Sequence, residues 1–156
     1  MTSARRRLTS LIVASCAAIA ACGDPFGPGP SELEINRAKW REHGYRDYSV
    51  TMGQFCFCVD VGPFVVTVLG DSVVGAVHVS DGAPARGGTS LPTVNKLFDF
   101  IQKAIDDHAA TIRVTYDAEL GFPRTIVYDF ATNLADEEVT YTLDSLKPLP
   151  NNLRSR

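Results

Sequence analysis

The chain has 156 residues, 45% of them hydrophobic and 21% charged, with a formal charge of −3. That is enough for one ordinary globular domain, and it excludes both a disordered chain and one that is membrane-embedded throughout. Fifteen Lys and Arg stand against eighteen Asp and Glu and form no basic stripe, which argues against a nucleic-acid partner.

The first residues have the pattern of an export signal. Arg5-Arg6-Arg7 supplies a positive end, Leu8 to Ile19 is an apolar stretch too short to span a bilayer as a stable helix, and small residues follow. Ile19-Ala20-Ala21-Cys22 resembles the bacterial lipobox, in which the cysteine receives diacylglycerol. Val13-Ala14-Ser15-Cys16 is a second near-match, but it would leave an apolar run of only Leu8 to Ser15. A plain secretory signal is the alternative. The arginines before Leu8 faintly resemble a twin-arginine signal, whose remaining motif is missing. The expected division is a signal peptide over 1–21, a tether over 22–30, one domain over 31–148 and a loose tail over 149–156. Cleavage before Cys22 removes three arginines and no acid, taking the formal charge from −3 to −6. Two or three acyl chains would then anchor the protein stably. The Gly/Pro spacer Gly23 to Pro30 holds neither helix nor strand, and fully extended it reaches about 30 Å.

Ser31-Glu32-Leu33-Glu34 is a capping box that opens a first helix. Leu33 and Trp40 share its inner face, Trp40 reads as a core anchor, and His43-Gly44 ends the helix. Tyr48, Val50 and Met52 alternate with polar residues as in a half-buried strand. Gly53 breaks that alternation, so Phe55 and Phe57 fall on the wrong face unless a bulge at Gly53 shifts the register. Phe64–Leu69 and Ser72–Val79 are strands joined by a tight turn at Gly70-Asp71. Ser80 to Pro92 is a loop long enough to be mobile or functional. Thr93 caps a second helix whose inward stripe is Val94, Leu97, Phe98, Ile101, Ala104 and Ile105. Three further strands follow at Thr111–Tyr116, Arg124–Phe130 and Glu138–Leu143, and Lys147 to Arg156 reads as a loose end. The fold class is therefore α+β: two helices on one face of an antiparallel sheet of about six strands, in the order α-β-β-β-α-β-β-β. The repeated order suggests a duplicated αβββ unit.

Cys56 and Cys58 are the side chains with the most distinctive chemistry. In an oxidising compartment they point first to a disulfide, although residues two apart in an extended strand lie at the upper limit of bridging distance. Thiolate capture of copper(I) and a redox pair are the alternatives, the second weakened by the absence of Cys-x-x-Cys spacing. His43, His78 and His108 have no metal-ligand spacing. Asp136-Glu137-Glu138, with Asp129 nearby, reads as a solvated acidic rim, since the loop lacks the alternating oxygen ligands of a dedicated calcium loop. No nucleophile elbow, phosphate-cradling loop or dinucleotide fingerprint occurs, so no catalytic residue, metal or cofactor is expected.

Trp40-Arg41 with Gly44, Asp47-Tyr48, Cys56-Phe57-Cys58, Tyr116-Asp117 with Leu120-Gly121 and Pro123, and Ala135-Asp136-Glu137-Glu138 occur in that order. The ordered set resembles an uncharacterised family of bacterial secreted or lipid-anchored proteins, domain of unknown function 6174, over roughly Leu33 to Pro148. The resemblance implies an extracytoplasmic α+β domain and brings no activity with it. The expected role is a lipid-anchored envelope protein with a non-catalytic binding domain for an envelope protein, peptide or polymer. The alternative is a thiol-based copper or redox protein built on Cys56 and Cys58.

Overall fold

A computed structural model describes residues 31–55, 60, 62–129 and 139–150. The chain forms helix α1 (Glu32–His43), strands β1 (Tyr48–Phe55), β2 (Gly62–Leu69) and β3 (Ser72–His78), helix α2 (Val94–Asp106), and strands β4 (Thr111–Tyr116), β5 (Pro123–Asp129) and β6 (Val139–Pro148). The expected element order and fold class are both present. All six strands join one sheet in the order β3-β2-β1-β6-β5-β4, and every neighbouring pair is antiparallel. β1 and β4 stand three places apart, so they run in opposite directions. The repeated αβββ order is thus not a simple translation along the sheet.

α1 starts where its capping box sets it. Ser31 Oγ accepts the Glu34 N–H, and Glu34 Oε2 accepts the Ser31 N–H at 2.7 Å. The Ser31 backbone N–H first, and its hydroxyl second, hold the Glu34 carboxyl below its ordinary pKa by hydrogen bonding to the charged form. Gly44, at φ 63°, takes the left-handed conformation that closes the helix. In α2 the buried stripe is Val94, Leu97, Phe98, Ile101 and Ala104, while Ile105, expected inward, is exposed at the stripe's margin near the helix end.

Strand alternation builds the covered face of the sheet. Tyr48 pairs with Val68, Val50 with Val66 and Met52 with Phe64, and all six side chains are buried. Tyr141, Leu143 and Ile126 continue this face across β6 and β5. Trp40 is buried edge-on against Tyr48 at 5.6 Å and Phe122 at 6.5 Å, and its indole N–H donates to Asn95 on α2. Tyr48 fastens α2 in turn, its phenolic oxygen accepting the buried Val94 N–H at 2.9 Å. Burial pushes the Tyr48 hydroxyl far above its ordinary pKa.

Two local expectations change. The β1–β2 register is continuous through Gly53, and the irregularity in the β1–β6 pairing lies between Ser49 and Thr51, where the extra residue belongs to β6. Gly53 is small for another reason: a Cβ there would sit 2.5 Å from Thr142 Oγ1 and 3.1 Å from the Phe55 ring. Phe55 stays on the open face, half-exposed, lying over that glycine. At the C-terminal end, Lys147 and Pro148 pair with Ser49 and Tyr48, and the Leu149 N–H donates to the Asp47 carbonyl. The chain is therefore tied to β1 to that point, further along than the sequence suggested. Residues 151–156 lie outside the described set.

Candidate functional site

The β2–β3 hairpin sets the geometry of one end of the sheet. Gly70 and Asp71, at φ 62° and 65°, make the tight turn. The register that follows brings His78, the last residue of β3, opposite Phe64 near the start of β2, with ring centroids 4.9 Å apart. Asp60, just before β2, then meets it: Asp60 Oδ2 lies 3.2 Å from His78 Nε2. Both side chains are mostly shielded from solvent.

The segment between β3 and α2 completes the site. The expected long loop is an ordered return along the outer edge of β3. The His78 N–H donates to Ala83, the Ala85 N–H donates to Ala76, and Val77 bridges Pro84. A Cβ on Gly88 would come within 2.9 Å of Ala76 Cβ, so the segment lies close against the strand only with glycine there. The Arg86 N–H donates to Asp60 Oδ2 at 2.8 Å. One carboxylate thus joins three segments: the β1–β2 connection, the end of β3, and the return segment.

Between these parts lies a half-open cleft of about 230 Å³. Phe64, Ala85 and Leu91 form its apolar wall, and Gln54, Asp60, Arg86 and Ser90 bring polar groups to it. The cleft has room for a side chain or a small head group. Its carboxylate and exposed guanidinium suit a ligand group that both donates and accepts hydrogen bonds.

The residues singled out in the sequence fall differently. Cys22, Cys56, Cys58 and Asp136-Glu137-Glu138 lie outside the described residues. Asp129 ends β5. The histidines are scattered: His43 stacks on Tyr45 at 5.4 Å, His108 follows α2 at φ 56°, and His78 meets Asp60. Among the described residues no group of three or more His, Cys, Asp or Glu is placed to hold a metal ion. Sequence reading missed Asp60, Gln54 and Arg86. The signal for Asp60 with His78 was the hairpin itself, because folding about Gly70-Asp71 brings position 78 against position 64.

A second structured region lies where α1 meets the β4–β5 turn. Asp117 Oδ1 accepts the Glu119 and Leu120 N–H groups, and Lys39 Nζ donates to the Ala118 carbonyl. Gly121, at φ 77°, approaches α1 so closely that a Cβ would lie 2.5 Å from the Asn36 carbonyl oxygen. This contact explains Gly121 as a packing residue, while Leu120 packs against the core and Pro123 is buried at the start of β5.

No curated protein matches the chain. A family model does match, over residues 32–148, from the first residue of α1 to the last of β6. On that match, which covers both helices and all six strands, the chain belongs to the family of unknown function DUF6174.

Proposed function

We propose that this is a non-catalytic binding domain of the bacterial cell envelope, held to a membrane by lipid on Cys22, that takes its ligand at the cleft beside Asp60. The cleft carries this reading: a return segment is fixed to the sheet through Asp60, leaving Arg86, Ser90 and Gln54 around an apolar wall. The ligand is an exposed side chain or terminus of an envelope protein or peptide. Anchoring rests on the Ile19-Ala20-Ala21-Cys22 pattern, and the eight-residue spacer that follows gives the domain reach. Cys22→Ser is expected to abolish palmitate labelling and leave an unprocessed precursor. A variant that still labels and sediments with membranes contradicts the anchor.

The second reading is a thiol-based copper or redox protein using Cys56 and Cys58. What favours it is sequence proximity, since Cys58 precedes the cleft residue Asp60 by two positions. In the first reading the two cysteines form a bridge whose very short loop constrains the unfolded chain little, so Cys56→Ser/Cys58→Ser costs about 1 kcal/mol in denaturant unfolding. Thiol titration and metal analysis of protein purified without reductant separate the readings. A bridge leaves no alkylatable thiol, whereas two free thiols with stoichiometric copper favour the second.

A further inference from the structure

The β2–β3 hairpin has a second cleft at its other end, beside the Gly70-Asp71 turn. It holds about 290 Å³ and is lined by Trp40, Arg41, Tyr45, Arg46, Asp71 and Asn95. The end of α1, the chain that follows it, the hairpin turn and the first turn of α2 each supply a part. Its aromatic part is firmly held. Trp40 is buried, Tyr45 meets it edge-on at 5.9 Å, and His43 stacks on Tyr45. The Trp40 indole N–H donates to Asn95 Oδ1, which leaves Asn95 Nδ2 a donor with no acceptor among the described residues.

The charges around this cleft are unlike those elsewhere on the surface. Arg37 pairs with Asp99, Lys103 with Asp107 and Arg124 with Asp144. Arg41, Arg46 and Asp71 have no side-chain hydrogen bond or ion pair among the described residues. Arg46 and Asp71 are backbone neighbours, the Asp71 N–H donating to the Arg46 carbonyl at 3.1 Å, and still their side chains do not pair. On a chain of formal charge −3, the two arginines are a local excess of positive charge.

From this we infer that the cleft between the end of α1 and the β2–β3 turn binds a small zwitterion that joins a phosphate to a primary amine, the chemistry of phosphoethanolamine. Phosphate oxygens accept from guanidiniums and from the Asn95 amide, and Asp71 takes the ammonium. A plain anion would meet the Asp71 carboxylate as a like charge, and a plain cation would meet two arginines. Two positive residues balance a phosphate monoester at neutral pH, whereas a carboxylate supplies one charge. The volume suits a molecule of head-group size.

The test is equilibrium dialysis of the full chain in mild detergent against phosphoethanolamine, with inorganic phosphate and glycerophosphoethanolamine as separate arms. One saturable site for phosphoethanolamine is expected, with inorganic phosphate held at least tenfold more weakly. Glycerophosphoethanolamine, the soluble diester of a phospholipid head group, is expected to bind more weakly than the monoester. Tighter binding of the diester would assign the same site to a lipid head group. Arg46→Gln is expected to weaken phosphoethanolamine at least tenfold, and Arg113→Gln, which removes a positive charge from β4, is expected to leave it unchanged. Asp71→Asn keeps a residue suited to the left-handed turn. It is expected to weaken phosphoethanolamine and leave inorganic phosphate no weaker, a split that a merely structural role would not produce. Equal unfolding midpoints check that each variant folds. Absence of saturable binding by the wild-type chain, inorganic phosphate held as tightly as phosphoethanolamine, or Arg113→Gln weakening binding as much as Arg46→Gln overturns the inference.

Discussion

Tyr48 does three jobs with one side chain: its ring fills the core, it packs edge-on to Trp40, and its oxygen accepts the Val94 N–H at the start of α2. Tyr48→Phe keeps the ring and orphans that buried N–H. The expected loss is about 1–3 kcal/mol in denaturant unfolding with the slope unchanged. Gly121 is tighter still. Alanine there meets both a left-handed backbone and the Asn36 carbonyl, so Gly121→Ala is expected to cost about 3 kcal/mol. If the same unfolding assay finds it neutral, α1 does not pack on the β4–β5 turn as described. Single residues of this kind were only half legible in the sequence. Gly53 stood out as a break in the alternation, but what it makes room for, Thr142 and the Phe55 ring, comes from strand β6 and from the open face. Local pattern does not record what will lie across a sheet.

At the scale of elements, legibility followed the strength of the local signal. α2 was read from its apolar stripe and Thr93 cap, and α1 from its capping box. The β2–β3 hairpin was read from Gly70-Asp71. The segment from Ser80 to Pro92 was not, because a Gly/Pro-rich return along an edge strand looks the same in sequence as a free loop. The far end of β6 was missed because Ser145, at φ 51°, marks the irregularity against β1 after which pairing resumes at Lys147. The candidate cleft shared this fate, being assembled from the hairpin register and that return segment together. The capping box also makes a prediction. Ser31→Ala removes the acceptor for Glu34 N–H and is expected to cost about 1 kcal/mol. The Glu34 carboxyl has a folded pKa below its ordinary 4.5, so its contribution is complete above that value. It is lost as pH falls through the folded pKa. Acid titration followed by circular dichroism should therefore find wild-type and Glu34→Gln converging in stability at low pH and separated at neutral pH.

At the scale of the whole molecule, the described residues build one sheet with a covered face and an open face. Its buried phenols set its alkaline limit. Burial raises Tyr116 and Tyr141 to about 12 from 10.0, and Tyr48 further. These groups favour the folded state fully below 10.0, where folded and unfolded phenols are both neutral. The advantage falls as pH rises past 10.0, because the unfolded chain ionises first. The denaturation midpoint should accordingly drop between pH 10 and 12, and a midpoint flat over that range would contradict the burial of these rings. The central claim concerns the cleft beside Asp60, and one comparison tests it most directly. Wild-type chain and an Arg86→Glu variant of equal unfolding midpoint are each used to capture partners from bacterial envelope extract, with quantitative mass spectrometry. The account predicts a partner retained by wild-type and depleted at least tenfold by Arg86→Glu, where a negative charge replaces the positive one on a residue that lines the cleft. Equal recovery of every partner by the two chains would contradict it.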